Sequence, residues 1–278
     1  MRALEKEIRK YNILGFCQVR KEGSIHGEHP NRALWDICGK PCFQWVLEAV
    51  KGCHYINKIA VVTDSREIKE LLYKIGGVVV VDRPLASSLN MPRDYTKGMF
   101  KRTKPRSLLC RDSLVYSGTM GLADFHLEQE EGYIADIWVN IGANEPMVTT
   151  EIFNRLIEKF FEDEEAGRVI TVHRFHEYLH IINPTTGRIY PVMNLGGMDR
   201  QEWPEMFSEG APTITGMPSI CTTQPLTGKT AYIEALPEEM VDMHNGDDLF
   251  LARVYMARRL EREKISKGGR GIQISKKA

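Results

Sequence analysis

The chain has 278 residues, 42% of them hydrophobic and 27% charged, with 37 basic residues set against 37 acidic ones. That length and composition describe a globular protein of one large domain, or one domain with a sizeable excursion, and supply ample apolar material for a core. A formal net charge of zero excludes any global electrostatic case for a nucleic-acid or membrane partner, so anion binding has to be local.

The six cysteines, Cys17, Cys38, Cys42, Cys53, Cys110 and Cys221, include no Cys-x-x-Cys pair. Several sit in apolar runs and read as reduced, buried thiols. The opening MRALEKEIRKY is charged and amphipathic and lacks an apolar h-region, so no signal peptide is expected. No run approaches ~18 apolar residues, so no membrane span is expected either, and the expected compartment is the cytoplasm.

Along the chain, apolar runs alternate with helical periodicity, the pattern of parallel strands joined by crossover helices. A strand at 12–19 runs into the basic, glycine-containing loop RKEGS, and Gly39-Lys40-Pro41 leads into a helix with Phe43, Val46, Leu47 and Val50 on one face. A strand at 58–62 ends in Thr63-Asp64-Ser65, and a helix over 67–75 stops at Gly76-Gly77. Four valines, Val78 to Val81, are expected to form a strand buried on both faces in the middle of a parallel sheet, ending at Asp82-Arg83-Pro84.

Residues 85–116 are irregular and basic (Arg93, Lys97, Lys101, Arg102, Lys104, Arg106, Arg111) and read as an insertion or a lid. A helix follows Ser117-Gly118-Thr119, then a strand at 135–141, a helix at 150–164 and a strand at 168–173. A small β excursion is expected over about 174–215, with a hairpin around the turn Pro184-Thr185-Thr186-Gly187. The last helix is expected over 247–259, and the basic tail over about 264–278 is expected to be flexible. His173, His176 and His180 offer no fourth metal ligand and read as ordinary histidines. Trp35, Trp45 and Trp138 read as core or interface residues.

In sheets of this class ligands lie outside the carboxyl ends of the strands. The residues at those ends are Arg20, Lys21, Gly23 and Ser24, then Asp64, then Arg83, then Asn144 and Glu145. Cations, a glycine turn and carboxylates together suit a nucleoside triphosphate, and a divalent ion where oxygen ligands converge.

These segments carry a family resemblance. VRKEGS followed by NRALWDICGKP resembles the Arg-x-Gly-Ser loop and x-Gly-Lys-Pro of the cytidylyltransferases that activate acidic sugars, the CMP-Kdo and CMP-N-acylneuraminate synthetases, with one extra residue before Gly23. VVTDS and Asp82-Arg83-Pro84 are similar to the family's next two strand ends. SGTMGLAD, WVNIGANEPMV, DRQEWPEMFSEGA and VDMHNGDDLFLA resemble its later motifs in family order, over about residues 12–260.

The resemblance implies a single nucleotidyltransferase domain over 1–278, with a Rossmann-like nucleotide-diphospho-sugar transferase fold: a mostly parallel central sheet flanked by helices, plus the small β excursion. It implies transfer of CMP from CTP to an acidic, Kdo- or sialic-acid-like sugar with release of pyrophosphate, by a homodimer using Mg²⁺ or Mn²⁺. Arg20, Lys21 and Arg32 would hold the triphosphate, with Gly23, Ser24, Asp64, Arg83 and Ser117 at the nucleotide. Arg200, Gln201 and Glu145 would meet the sugar, and Asn144, Asp242, His244 and Asp248 would be the metal ligands. Two of those metal positions depart from the family, which has Asp where this chain has Asn144 and His244. Met120 and Gly121 likewise stand where it has Asp and Arg. The departures leave two alternatives: a nucleotide-binding relative with impaired catalysis, or a nucleotidyltransferase acting on a phosphorylated sugar or polyol.

Overall fold

Alternation decides which side of the central sheet each strand residue faces. In β1 (Ile13–Val19), Ile13, Cys17 and Val19 join one apolar cluster, while Leu14 and Phe16 join another on the opposite face. The same split holds in β4 (Lys58–Thr63), with Ile59 and Val61 against Ala60 and Val62. Strands buried on both faces in this way belong to the middle of a helix-covered parallel sheet. The computed structural model describes residues 2–21, 31–83, 100–101, 115–116, 118–175, 179–183, 185–192, 204–216 and 229–268.

In chain order the helix α1 (Arg2–Ile8) precedes β1, and a single 3₁₀ turn at Arg32–Leu34 follows it. The short pair β2 (Asp36–Ile37) and β3 (Lys40–Pro41) leads to α2 (Cys42–Gly52), and β4 leads to α3 (Arg66–Ile75). Ser65 caps α3 by accepting from the Ile68 N–H at 3.3 Å, and Gly76, at φ +68, ends it where a side chain would be strained. Next come β5 (Val79–Asp82), the antiparallel pair β6 (Phe100–Lys101) and β7 (Val115–Tyr116), α4 (Gly118–Glu131) and β8 (Ile137–Ile141). The helix α5 (Thr150–Glu162), capped by Thr149, precedes β9 (Ala166–Phe175) and the hairpin β10 (His180–Ile182) and β11 (Ile189–Pro191). The chain then forms β12 (Met206–Gly216), β13 (Lys229–Glu234) and α6 (Gly246–Gly268).

Among the described residues seven strands make the main sheet, in the order β13-β9-β12-β8-β1-β4-β5, and only β12 runs antiparallel to its neighbours. The expected α/β class with a mostly parallel, helix-flanked sheet is therefore present. The valine strand β5 lies at the edge and not in the middle, so Val79 and Val80 are half-buried. Residues from α1, α2, α3 and α5 pack one face, where Phe43, Leu47, Phe153 and Leu156 are fully buried. On the other face Ala123 and Leu127 of α4 meet Phe16 and Trp138. A third cluster, Ile37, Cys42, Met147, Met243, Ala252 and Met256, fastens α6 near the strand ends. There Trp45 Nε1 donates to the Ile37 carbonyl (2.8 Å) and Arg253 Nε to the Asp36 carbonyl (3.0 Å). Trp138 is fully buried, and Trp35 and Trp45 pack against the third cluster, as core residues should.

Three expectations need correcting or delimiting. The excursion over 174–215 is real only in its first part: β10 and β11 form a separate hairpin, whereas β12 is inserted into the main sheet between β8 and β9. Gly210 and Pro212 suggest a loop there, but the register slips between Gly210 and Thr213, so the ladder bypasses Pro212, which has no N–H to give it. The basic tail is helical as far as Gly268, because α6 continues past the expected end at 259. The basic insertion falls almost wholly outside the described residues, apart from the β6–β7 pair, as do residues 269–278. Of the cysteines, Cys17, Cys42 and Cys53 are buried and Cys38 is exposed. Among the described residues no helix is long and apolar enough to cross a membrane.

Candidate functional site

The strand order reverses beside β1, which has β4 on one side and β8 on the other. A crevice opens at such a switch point, outside the carboxyl ends of the strands, and the loops after β1 and β8 flank it. The candidate residues fall into two groups, one toward β4 and β5 and one toward β8.

In the first group Asp64, just past β4, accepts the backbone N–H of Lys21 at 2.7 Å and so fixes where the chain leaves β1. Asn31 closes the far side of that loop. Its Nδ2 donates to the Arg20 carbonyl at 2.9 Å, while its Oδ1 accepts from Ala33 N at the start of the 3₁₀ turn. Arg83 continues the ladder beyond β5 by donating its N–H to the Thr63 carbonyl (3.1 Å), and only 7% of it is exposed. Burial lowers the Arg83 pKa first, the positive charge of Arg20 lowers it further, and Asp64 opposes both. Two guanidiniums beside one carboxylate make this a net positive corner at the strand ends. The Glu67 carboxyl is held below its usual value by hydrogen bonds to its own backbone and to Ser65, with the charge of Lys21 a smaller contribution.

In the second group the side chains are bonded to one another. Arg32, at the start of the 3₁₀ turn, places Nη1 2.9 Å from His244 Nδ1. His244 Nε2 lies 2.6 Å from Asp242 Oδ2, and Asn144 Nδ2 donates to Asp242 Oδ1. The Asn144 backbone pairs with Met243 as well, its carbonyl accepting from Met243 N at 3.0 Å. Arginine can only donate, so Nδ1 of His244 is the acceptor and the ring proton sits on Nε2, directed at Asp242. The resulting chain Arg32–His244–Asp242–Asn144 links the 3₁₀ turn at Arg32–Leu34, through the segment before α6, to the residues after β8. Asp248 is committed to a helix cap: its Oδ2 accepts from His244 N (2.7 Å) and Asn245 N (3.0 Å), while Asn245 Oδ1 accepts from Asp247 N and Asp248 N.

Glu145 was expected to meet the sugar, but the structure turns its carboxyl inward. The residue is 7% exposed and accepts from Ala211 N at 3.2 Å, a donor in the irregular part of β12. Its place depends on Gly142, because a Cβ there would sit 2.8 Å from the Glu145 carboxyl carbon. Burial raises the Glu145 pKa to about 8, the charge of Asp242 raises it too, and the Ala211 N–H opposes the rise. Burial likewise pushes up the thiols of Cys17 and Cys42, with Glu145 adding to the shift.

The structure thus brings together Arg20, Lys21, Asp64 and Arg83 in one group, and Arg32, Asn144, Asp242 and His244 in the other. Gly23, Ser24, Ser117, Arg200 and Gln201 lie outside the described residues. Sequence reasoning missed Asn31 and Asn245, although Asn followed by a short acidic or apolar helical start is a capping signal. It also paired Arg32 with phosphate rather than with His244, a contact between positions 212 residues apart that no local pattern signals.

The second group does not fit a hard divalent cation. Mg²⁺ asks for several converging oxygens. Here both Asp242 oxygens and Asp248 Oδ2 accept hydrogen bonds, Asn144 presents its NH₂ to Asp242, and an imidazole suits softer metals. Among the described residues no group of three or more His, Cys, Asp or Glu is placed to hold a metal ion.

A cytidylyltransferase family model matches residues 29–91, a stretch that includes Arg32, Asp64 and Arg83. The 3-deoxy-manno-octulosonate cytidylyltransferase of Trichlorobacter lovleyi is 28% identical over 131 residues, 47% of this chain and 39% of that protein. The Francisella philomiragia enzyme of the same name is 27% identical over 161 residues, covering 58% and 52%. That of Hahella chejuensis is 25% identical over 169 residues, covering 61% and 53%. The chain thus matches about half the length of these curated relatives, or less. Two solved structures are similar in fold. The 4-diphosphocytidyl-2C-methyl-D-erythritol synthase of Anaerococcus prevotii has a TM-score of 0.55 at 12% identity, and a CMP:2-keto-3-deoxy-manno-octonic acid synthetase complexed with CTP has 0.53 at 14%. Both likenesses cover 89% of this chain and 99% of the other.

Proposed function

We propose, from the chain's fit to the CMP-Kdo synthetase-like cytidylyltransferases, that it transfers CMP from CTP to an acidic sugar of the Kdo or sialic-acid kind and releases pyrophosphate. The observation that carries this reading is the convergence of Arg20, Asp64 and Arg83 at the carboxyl ends of the adjacent strands β1, β4 and β5. In the reaction a sugar hydroxyl oxygen forms a bond to the α-phosphorus, the bond from that phosphorus to the pyrophosphate oxygen breaks, and the hydroxyl proton is lost. Such chemistry asks the protein mainly to position two anions and offset their charge. Arg20 and Arg83 would receive the phosphates, with Lys21 at the loop entrance held in place through Asp64. Arg32 would face them from across the crevice. Arg200 and Gln201 are the proposed receivers of the sugar carboxylate, a guanidinium–carboxylate match.

Incubating the full chain with each of the four nucleoside triphosphates and with Kdo or N-acetylneuraminate, with and without Mg²⁺ or Mn²⁺, tests the reading through pyrophosphate release. Release with CTP and an acidic sugar is the expected result, and absence of CTP binding by calorimetry overturns it. One observation favours a second reading, a nucleotide binder without turnover: the acid group is bonded to itself through Asn144, Asp242 and His244. CTP bound with no pyrophosphate released under any condition would select that reading.

A homodimer is part of the same proposal, as is a cytoplasmic setting in which CTP is present. The β10–β11 hairpin and its flanks expose Leu179, Ile181, Ile182, Ile189, Tyr190 and Val192, and a two-stranded ribbon this short gains most of its stability from packing. A second copy of the chain is the proposed cover, and Ile181→Asp with Ile189→Asp should convert a dimer to a monomer in sedimentation.

A further inference from the structure

Divalent cations commonly screen a triphosphate, yet the acid group beside β8 is organised as a hydrogen-bonded chain rather than as an open set of oxygens. The direction of that chain follows from its ends. Arg32 has only protons to give, and Asp242, when ionised, has only lone pairs. His244 stands between them as a neutral ring, receiving at Nδ1 and donating from Nε2, at 2.9 and 2.6 Å. Asn144 closes the other side of Asp242 with its NH₂. Each link exists because the residue type permits it. Aspartate at 244 could neither accept from Arg32 and donate to Asp242 at once, nor lie beside Asp242 without repulsion. Aspartate at 144 would have no N–H for Asp242. The neutral residues at 144 and 244 and the cation at 32 are therefore mutually consistent.

We propose that the Arg32–His244–Asp242–Asn144 chain takes the place of a protein-bound divalent cation: Arg32 supplies fixed positive charge across the crevice, and Asp242 holds no metal ion. The inference rests on the nucleotidyl-transfer reading only for the identity of the ion it excludes. Two neighbouring carboxylates are engaged elsewhere: Asp248 accepts from His244 N and Asn245 N at the cap of α6, and Glu145 is buried and accepts from Ala211 N.

The test is a Mn²⁺ titration of the full chain with no nucleotide present, the free ion being read by electron paramagnetic resonance. Wild type and Asp242→Asn are expected to give the same weak, non-saturating uptake. The double variant Asn144→Asp with His244→Asp is expected to gain one site at least about tenfold tighter, because it restores charged oxygens on both sides of Asp242. A wild-type site that Asp242→Asn abolishes overturns the proposal. So does a double variant that is folded by circular dichroism and binds Mn²⁺ no better than wild type. Should the double variant fail to fold, the comparison of wild type with Asp242→Asn decides alone. No nucleotide enters the titration, so failure here leaves the CTP reading standing, and failure to bind CTP leaves this result standing.

Discussion

The two halves of the crevice are built from similar residue types and behave differently. Toward β4 and β5, Arg20 and Arg83 lie close enough for one guanidinium to depress the pKa of the other, and Asp64 is engaged by a backbone N–H. Toward β8, Arg32, His244, Asp242 and Asn144 bond in series. The first half sets two guanidiniums against each other, whereas in the second the side chains bond to one another in series. A count of charges at strand ends misses this distinction, because what matters is which neighbours each charge already has. The comparison predicts that anionic ligands are read mainly by the first half, and that the second sets geometry and charge without taking an ion.

The largest expected effect probes Glu145, the buried floor of the second half. Its pKa is raised from 4.5 to about 8 in the folded chain, chiefly by burial. Below about pH 4.5 it is protonated folded or unfolded, and its full stability is present. As pH rises toward 8 the unfolded chain releases the proton while the folded chain keeps it, so stability falls through that window and levels off above it. The loss is on the order of 3–5 kcal/mol. Glu145→Gln keeps an acceptor for Ala211 N and removes the titration. Urea midpoints measured from pH 5 to 8.5 should fall for wild type relative to the variant, and parallel curves would refute a buried, protonated Glu145.

Next in size is Arg20→Ala, which removes one of the two guanidiniums from the first half. CTP affinity measured by calorimetry should drop at least about tenfold, or ~1.4 kcal/mol, with the thermal midpoint little changed. An unchanged affinity would mean that the repulsion at Arg83 has some purpose other than anion binding.

The legible part of this chain was the part written in local pattern. β1, β4 and β8 announce themselves by doubly buried apolar runs, and α2, α3 and α5 by the spacing of Phe43, Leu47, Leu72, Phe153 and Leu156. β5 announces itself by its valines too, but it lies at the sheet edge, where only Val81 is buried. β12 was hidden because Gly210 and Pro212 look like breakers until the register shift is seen. β13 alternates in plain view, with Ala231 and Ile233 buried and Tyr232 exposed, but its short run borders a stretch that punctuates the chain with turn residues. Strand-end logic nominated Arg20, Asp64, Arg83 and Asn144, and the family resemblance nominated Asp242 and His244; the structure groups the first three on one side and the last three on the other. Sequence reasoning gave Glu145 the wrong aspect, since the decisive neighbour, Ala211, is 66 residues away. Pairing between side chains distant in sequence is what one-dimensional pattern does not encode.

A smaller effect sharpens the boundary of the second half. Asn245 caps α6 through the N–H groups of Asp247 and Asp248, and the reciprocal bonds from His244 N and Asn245 N to Asp248 hold the segment that carries Asp242 and His244. Asn245→Ala should cost about 1 kcal/mol of stability in chemical denaturation, the usual value of an N-cap. Its effect on CTP affinity should be smaller than that of Arg20→Ala, because the cap serves the half that does not read the anion. Equal losses of affinity from the two variants would erase the division.

The smallest expected effect is at Lys40, where sequence and structure give opposite emphasis. Gly39-Lys40-Pro41 looks like part of the anion-presenting loop, being a lysine after a glycine just before a helix. In the structure its ammonium reaches along α2 instead, bonding Glu48 at 2.7 and 2.9 Å and lying 4.1 Å from the centre of the Trp45 ring. Both partners of the ion pair are more than a third exposed, so the pair contributes at most ~0.5 kcal/mol. Lys40→Ala should therefore shift the urea midpoint barely and leave CTP affinity within about twofold of wild type. A loss as large as that of Arg20→Ala would move the anion site from the ends of β1, β4 and β5 to the turn between β2 and β3. The two halves of the crevice would then have been drawn around the wrong loop.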